Sequence, residues 1–289
     1  MPELDQDWDG LMANGTVRSV SENAAGGEAT NALMAQVMAD AVGEEPEIEP
    51  APDTYVPLPG GLYWNGELLR DARVRELTGE DEEALDRIQG SVARWVTGLL
   101  ERAVVSIGGQ APTSAMLRKA LVGDRDALLL GVRIATFGRD LTMRRVRCPH
   151  CQEELDATID LSTIEDGELS EVMPRHEYSV PLRKGGSAVV RLPDGAAQEA
   201  IFKKPDATLA ERNTALLGCV LVRVVDTHGQ EQAGGPALAK SLSMADRQSI
   251  IRFLAETQPG PRLDAVTFEH ACGREVRLPI ELGELFRID

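Results

Sequence analysis

Apolar side chains recur at helical spacing from residue 74 to 137 and then switch to strict alternation. In VRELTGEDEEALDR, starting at Val74, Thr78 reads as an N-cap, and Asp81 and Glu82 fall in a first turn where carboxylates favour the helix dipole. The stretch Ser91 to Ile107 continues with Val92, Trp95, Val96, Leu99, Leu100 and Val104 on one helical face, and Gly108-Gly109 stops it. Ser114 to Leu121 starts another helical turn, and Gly123-Asp124 caps a longer helix from Arg125 to Phe137 bearing Leu128, Leu129, Val132 and Ile134. Beyond Gly138 the spacing becomes that of strands, Leu141 to Arg147 and Glu154 to Leu161, the second with Leu155, Ala157, Ile159 and Leu161 alternating inward. Cys148-Pro149-His150-Cys151 joins the two, so the pattern predicts a zinc-ribbon-like hairpin.

The same order recurs further along the chain. VVRLPDGAAQEAIF from Val189 parallels VRELTGEDEEAL, and TALLGCVLVRVV from Thr214 parallels TGLLERAVVSIG. LSMADRQSIIRFLAE from Leu242 parallels LVGDRDALLLGVRIA, with Asp246-Arg247 where Asp124-Arg125 stood. Arg262 to Leu282 then parallels the first cysteine hairpin, strand for turn for strand. The expected fold is therefore α+β: two related helical units, each ending in a β-hairpin.

The remaining stretches lack such periodicity. Residues 1–71 mix Ala, Gly, Glu and Pro and read as a flexible, acidic, disordered arm, except that NALMAQVMADAV from Asn31 to Val42 makes a short amphipathic helix. The expected organisation is this arm, a first unit over 72–167 with the CPHC hairpin, a linker over 168–188 and a second unit over 189–289 with a His-Ala-Cys hairpin. Pro174, Pro181 and Gly185-Gly186 mark the linker, and His176 within it reads as a solvated side chain.

Charge narrows the partners. The 289 residues carry a formal net charge of -17, which repels nucleic acid and anionic lipid. No apolar run is long enough to span a bilayer and no secretory signal opens the chain, so membrane insertion is not expected and the predicted location is cytoplasmic. Of four histidines, two belong to the cysteine turns and His176 and His228 to loops, which leaves little for a Ser-His-Asp or Cys-His constellation. No GxSxG elbow, Walker loop or dinucleotide fingerprint is present, and the sequence reads as that of a non-enzyme.

The four cysteines change the picture most. In a reducing compartment a CxxC pair points to metal or redox chemistry, and flanking strands, rather than a helix N-terminus, argue against a redox pair. Cys148 and Cys151 make one knuckle. The repeat brings the second turn to Glu269-His270-Ala271-Cys272, so His270 and Cys272 complete a four-ligand set for a structural zinc ion that clips the two units together. The alternative reading is a remnant turn that binds no metal, with Glu269 in a lost cysteine's place. Cys219, in an apolar run, reads as a core residue.

LTGEDEEAL, the helix LLERAV followed by Gly-Gly, the segment GDRDALLLGVRIATFG and strand-CPHC-strand, in that order, resemble the baseplate hub assembly chaperone family of contractile-tailed phages and phage-tail-like contractile injection systems. The resemblance covers Val74 to about Ile164 best and reaches Phe286 through the second copy. It implies an assembly factor without catalysis, with baseplate or hub proteins of a contractile tail as partners and incorporation into the particle as one fate. The family has CxxC-type turns, from which Glu269 departs. A zinc-ribbon adaptor in a transcription or other nucleic-acid complex is the alternative, drawing on Arg139, Arg144, Arg145 and Arg147.

Overall fold

The computed structural model describes residues 53–88, 90–167 and 176–286. The Asn31 to Val42 segment, the arm up to residue 52 and linker residues 168–175 lie outside the described residues. The fold is mixed α+β, built from small antiparallel sheets with helices packed on them.

Strands β1 (Thr54–Trp64) and β2 (Glu67–Val74) form a hairpin whose turn, Asn65-Gly66, has both residues at positive φ. Residues 54–71, expected in the arm, are thus folded. Val56, Leu58, Leu62, Leu69, Ala72 and Val74 point inward and are buried. The Pro-Leu-Pro-Gly-Gly run of this stretch lies where the register shifts between Pro57 and Leu62 of an edge strand, a place that tolerates proline because no ladder N–H is needed. Helices α1 (Gly79–Asp86) and α2 (Val92–Ala103) follow, then β3 (Val104–Ile107), α3 (Ser114–Lys119) and α4 (Val122–Phe137). The predicted helix to Ile107 therefore ends four residues early: Val104, Val105 and Ile107 are β-branched, and their segment pairs with β2 to complete a sheet ordered β1-β2-β3.

Past α4 come the hairpin strands β4 (Asp140–Arg147) and β5 (Glu154–Asp160), and the two-residue strand β6 (Asp166–Gly167). The chain re-enters as β7 (Glu177–Pro181) and β8 (Ser187–Arg191), joined through Gly185-Gly186, both at positive φ. Strand β7 and the turn lie inside the expected linker and β8 crosses from it into the expected second unit, because the two glycines that suggested a connection supply a tight turn between paired strands. His176 is buried rather than solvated, with its Nε2 3.3 Å from the Gly61 carbonyl. The rest comprises α5 (Gly195–Ile201), α6 (Leu209–Val220), β9 (Leu221–Val225), β10 (Glu231–Ala233), α7 (Pro236–Ser241) and α8 (Met244–Thr257), with a sheet ordered β10-β9-β8-β7. Strand β11 (Gly260–Pro261) pairs with β6, and the short hairpin β12 (Thr267–Glu269) and β13 (Glu275–Arg277) is followed by a one-turn helix, Leu282–Leu285.

Three cores hold these elements. One lies under β1-β2-β3 against α2 and α4, one under β7 to β9 against α6 and α8, and one between the two late hairpins, where Leu141, Ile159 and Leu161 meet Leu278 and Ile280. Burying each Leu or Ile in that third core contributes about 1.5–3 kcal/mol, so it holds the hairpin turns together independently of any ion.

The repeated Asp-Arg pairs perform the same bonding in both places. Arg125 donates from Nη1 to the Leu117 carbonyl (2.8 Å) and from Nη2 to Thr97 Oγ1 (2.9 Å). Arg247 donates from Nη1 to the Ala239 carbonyl (2.8 Å) and from Nη2 to Thr214 Oγ1 (2.8 Å). Thr97 and Thr214 in turn donate to the carbonyls of Ala93 and Ala210, one turn earlier in α2 and α6. Asp124 accepts the Gly60 N–H at 2.7 Å, and Asp246 accepts the Arg183 N–H at 2.8 Å, each tying a long helix to the first hairpin of its sheet.

Candidate metal centre

The first turn is closed by Cys148 N–H donating to the Glu153 carbonyl (2.9 Å) and Gln152 N–H to the Cys148 carbonyl (3.0 Å), with Gln152 at φ 66°. The second is one residue shorter. His270 N–H donates to the Arg274 carbonyl (2.9 Å) and Gly273 N–H to the His270 carbonyl (2.8 Å), with Gly273 at φ 73°. A left-handed residue thus ends each knuckle and turns its two ligand positions toward the other hairpin.

The ligand atoms of Cys148, Cys151, His270 and Cys272 lie within 4.8 Å of one another. Cys148 Sγ is 3.9 Å from Cys272 Sγ, and Cys151 Sγ is 3.7 Å from His270 Nδ1. A tetrahedron with zinc–sulfur bonds near 2.3 Å and zinc–nitrogen bonds near 2.0–2.1 Å has edges of about 3.8 Å between sulfurs and about 3.6 Å between sulfur and nitrogen. Those two contacts already match. Bringing the widest separation to the tetrahedral edge requires a contraction of about 1 Å. Cys148 and His270 are buried, whereas Cys151 and Cys272 are on the outer side.

Electrostatics favour a cation here. Burial alone would raise the Cys148 thiol, but the Cys151 and His150 backbone N–H groups and the neighbouring thiols outweigh it and lower the pKa. Cys151 moves the other way: despite the Glu153 backbone N–H, burial and the Cys148 and Cys272 thiols raise it. Three neighbouring thiolates repel one another, and a bound divalent cation removes that cost. His270 Nδ1 lies 3.1 Å from the Cys272 backbone nitrogen and 3.7 Å from Cys151 Sγ, so this ring nitrogen faces the cluster, and an ion bound through its one lone pair would take the place of the Cys272 N–H. Three thiols and one imidazole form a donor set that suits zinc, and the four residues could hold such an ion.

All four residues named from the sequence come together. Cys219 does not join them and is half-buried on α6, where its carbonyl accepts two bonds from Arg191. Glu269 sits on β12 opposite Glu275, exposed and outside the cluster. Sequence reasoning missed His176, which closes a 410 Å³ cavity with Lys119, Glu177 and Asp194; burial holds its pKa below the usual imidazole value. Among the described residues no helix is long and apolar enough to cross a membrane. Compared with family models, curated proteins and solved structures, the chain matches none.

Proposed function

We propose that this chain is a non-enzymatic assembly factor or structural component of the baseplate of a contractile phage tail or phage-tail-like injection system. In this reading it arose by internal duplication, binds baseplate or hub subunits, and is clipped between its halves by a structural zinc ion in a ribbon-like site. The observation that carries the clip is the meeting of Cys148 and Cys151 with His270 and Cys272 from a hairpin more than a hundred residues away. Three thiolates and an imidazole fill a tetrahedral shell and leave no position for substrate, which suits a structural ion rather than a Lewis-acid catalyst.

The duplication is supported by the matched Thr97–Arg125 and Thr214–Arg247 networks and by equivalent carboxylate-to-hairpin bonds from Asp124 and Asp246. The baseplate assignment rests on the resemblance in motif order. Pull-down of the tagged chain from cells producing tail particles is expected to enrich baseplate or spike subunits, and recovery of metabolic enzymes alone would refute it. One observation favours the adaptor reading instead: Arg133, Arg144 and Arg145 line an 830 Å³ cavity beside β4, shared with Asp140 and Glu284. A DNA-binding titration with a steep salt dependence would support that reading.

A further inference from the structure

In the first half, α2, α3 and α4 make a cleft that the second half fills with the N-terminal turn of α5. The backbone at Pro193 to Gly195 bonds there, Val122 N–H donating to the Pro193 carbonyl (3.0 Å) and Gly195 N–H to the Ala120 carbonyl (3.1 Å). Gly195 lies flat on Arg125, where an added Cβ would be 2.6 Å from Nη1. Arg125 Nε donates to Gln198 (3.1 Å), and Glu199 receives Arg118 (3.0 Å) and Thr97 (2.9 Å). Arg125 is fully buried as a result.

The corresponding cleft of the second half, between α6, α7 and α8, is built from the same parts: Thr214 for Thr97, Arg247 for Arg125 and Lys240 for Arg118. Among the described residues nothing fills it. Leu209 and Met244, at the first positions of α6 and α8, are 75% and 78% exposed, and Lys240 and Ser243 are also exposed. The element equivalent to α5 is α1, and its N-terminal turn is exposed in its own chain. Gly79 stands where Gly195 stands and has nothing within 4 Å of an added Cβ, while Glu82 and Glu83 take the places of Gln198 and Glu199 and are exposed, Glu83 in a solvent-screened pair with Arg87 at 3.3 Å that a partner's lysine would have to replace. Asp81, which points inward, is held by Arg75 and Arg102 at 2.6 Å each and is not available to a partner.

We propose that the α6–α7–α8 cleft receives α1 of a second copy of this chain, repeating between molecules the contact that α5 makes within one. Gly79 would lie on Arg247, Glu83 would pair with Lys240, and Leu209 and Met244 would be covered. The contact is head-to-tail, so each copy offers one donor turn and one cleft, and association either closes into a ring of two or more copies or continues as a filament. The charges are complementary, acidic on the turn and basic in the cleft. The inference rests on the correspondence between the halves and not on the metal or on the baseplate assignment.

Sedimentation of the full chain across a concentration series at physiological salt tests it. Species heavier than the 31.3 kDa monomer are expected to grow with concentration. Glu83→Lys and Lys240→Glu are each expected to weaken association about tenfold, and the double variant to restore it. Gly79→Leu, whose Cβ would have nothing within 4 Å in its own chain, is expected to abolish association while leaving thermal unfolding unchanged. A monomer at every concentration overturns the proposal and leaves the cleft to another protein or to the arm of the same chain. Association insensitive to both charge reversals, or not restored by the double variant, overturns it equally.

Discussion

Asp124 and Asp246 occupy matching positions in α4 and α8, yet their environments give the fold opposite responses to pH. Asp124 is fully buried and its Oδ2 has no hydrogen-bond partner, so burial, against the Gly60 N–H, pushes its pKa up to about 6 from an ordinary 3.8. A carboxyl with a raised folded-state pKa holds its proton more tightly when folded. The fold is therefore favoured below about pH 4, and that advantage is lost as pH rises through about 6. The difference between 3.8 and about 6 corresponds to about 3 kcal/mol. Asp124→Asn keeps an acceptor for the Gly60 N–H and carries no charge. Its stability relative to the parent should therefore climb by about 3 kcal/mol between pH 4 and pH 8 and level off there. Neighbouring Asp126 is also raised to about 6, chiefly by burial and further by the Asp124 charge; losing that charge lets its pKa fall, which adds to the variant's relative stability at high pH. Urea unfolding of both proteins in matched buffers measures the difference, and the pH dependence of the shared Cys/His cluster cancels. Asp246 provides the opposite sign. The Arg183 N–H and Ser243 lower its pKa, so its stabilisation is present above about pH 4 and lost as pH falls further. Asp246→Asn should destabilise at neutral pH and approach the parent in acid. A pH-independent effect of Asp124→Asn, or a variant less stable than the parent at pH 8, would refute the reasoning.

Zinc near one equivalent is expected in freshly purified protein by elemental analysis, and Cys148→Ser or Cys272→Ser should remove it and lower Tm by roughly 5–10 °C. Arg125→Ala leaves the Leu117 carbonyl without its side-chain donor and empties the space of a fully buried side chain, and should cost about 3–5 kcal/mol; Arg247→Ala, in the open cleft, should cost about 1–2 kcal/mol by the same urea titration. Gly123→Ala drives a Cβ into the Pro259 carbonyl and should destabilise by about 3 kcal/mol, whereas Gly79→Ala should leave monomer stability within about 0.5 kcal/mol of the parent.

What could be read from the sequence follows from where a single periodicity governs. Helix α4 is legible as a long apolar run because it is buried on most sides, Leu128, Leu129 and Val132 entering the first core while Leu130 and Ile134 pack against the third, and β4 and β5 alternate because one side packs on that third core. The switch at Ala103 to Val104 was hidden because Leu99, Leu100, Val104 and Ile107 fit a helix as well as a helix followed by a strand; tertiary pairing with β2 decides between them. The β1–β2 hairpin was hidden by its prolines and glycines, whose meaning depends on being at a sheet edge. His176 gave no signal at all, since its burial comes from the distant Gly61 segment. The cluster was legible for a different reason: matching the order of elements located the second turn, where spacing alone would not have chosen His270 and Cys272.

Alignment of the two turns puts Glu269 where Cys148 stands, yet the residue of the second turn that joins the cluster beside Cys272 is His270. The pleat explains the displacement. On β12 successive side chains alternate, and Glu269 is exposed while His270 is buried and faces the cluster. A donor at 269 would leave the strand on the solvent side, so the inward donor is one residue later, and the turn is shorter by one residue to bring Cys272 alongside it. Restoring the CxxC spelling should therefore not restore the site. Glu269→Cys combined with His270→Ala is expected to bind well below one equivalent of zinc and to melt with the Cys272→Ser variant, although it offers four cysteines by sequence. Full zinc occupancy in that double variant would show that the second turn can slip by one residue, and that strand register does not dictate which side chain serves as the ligand.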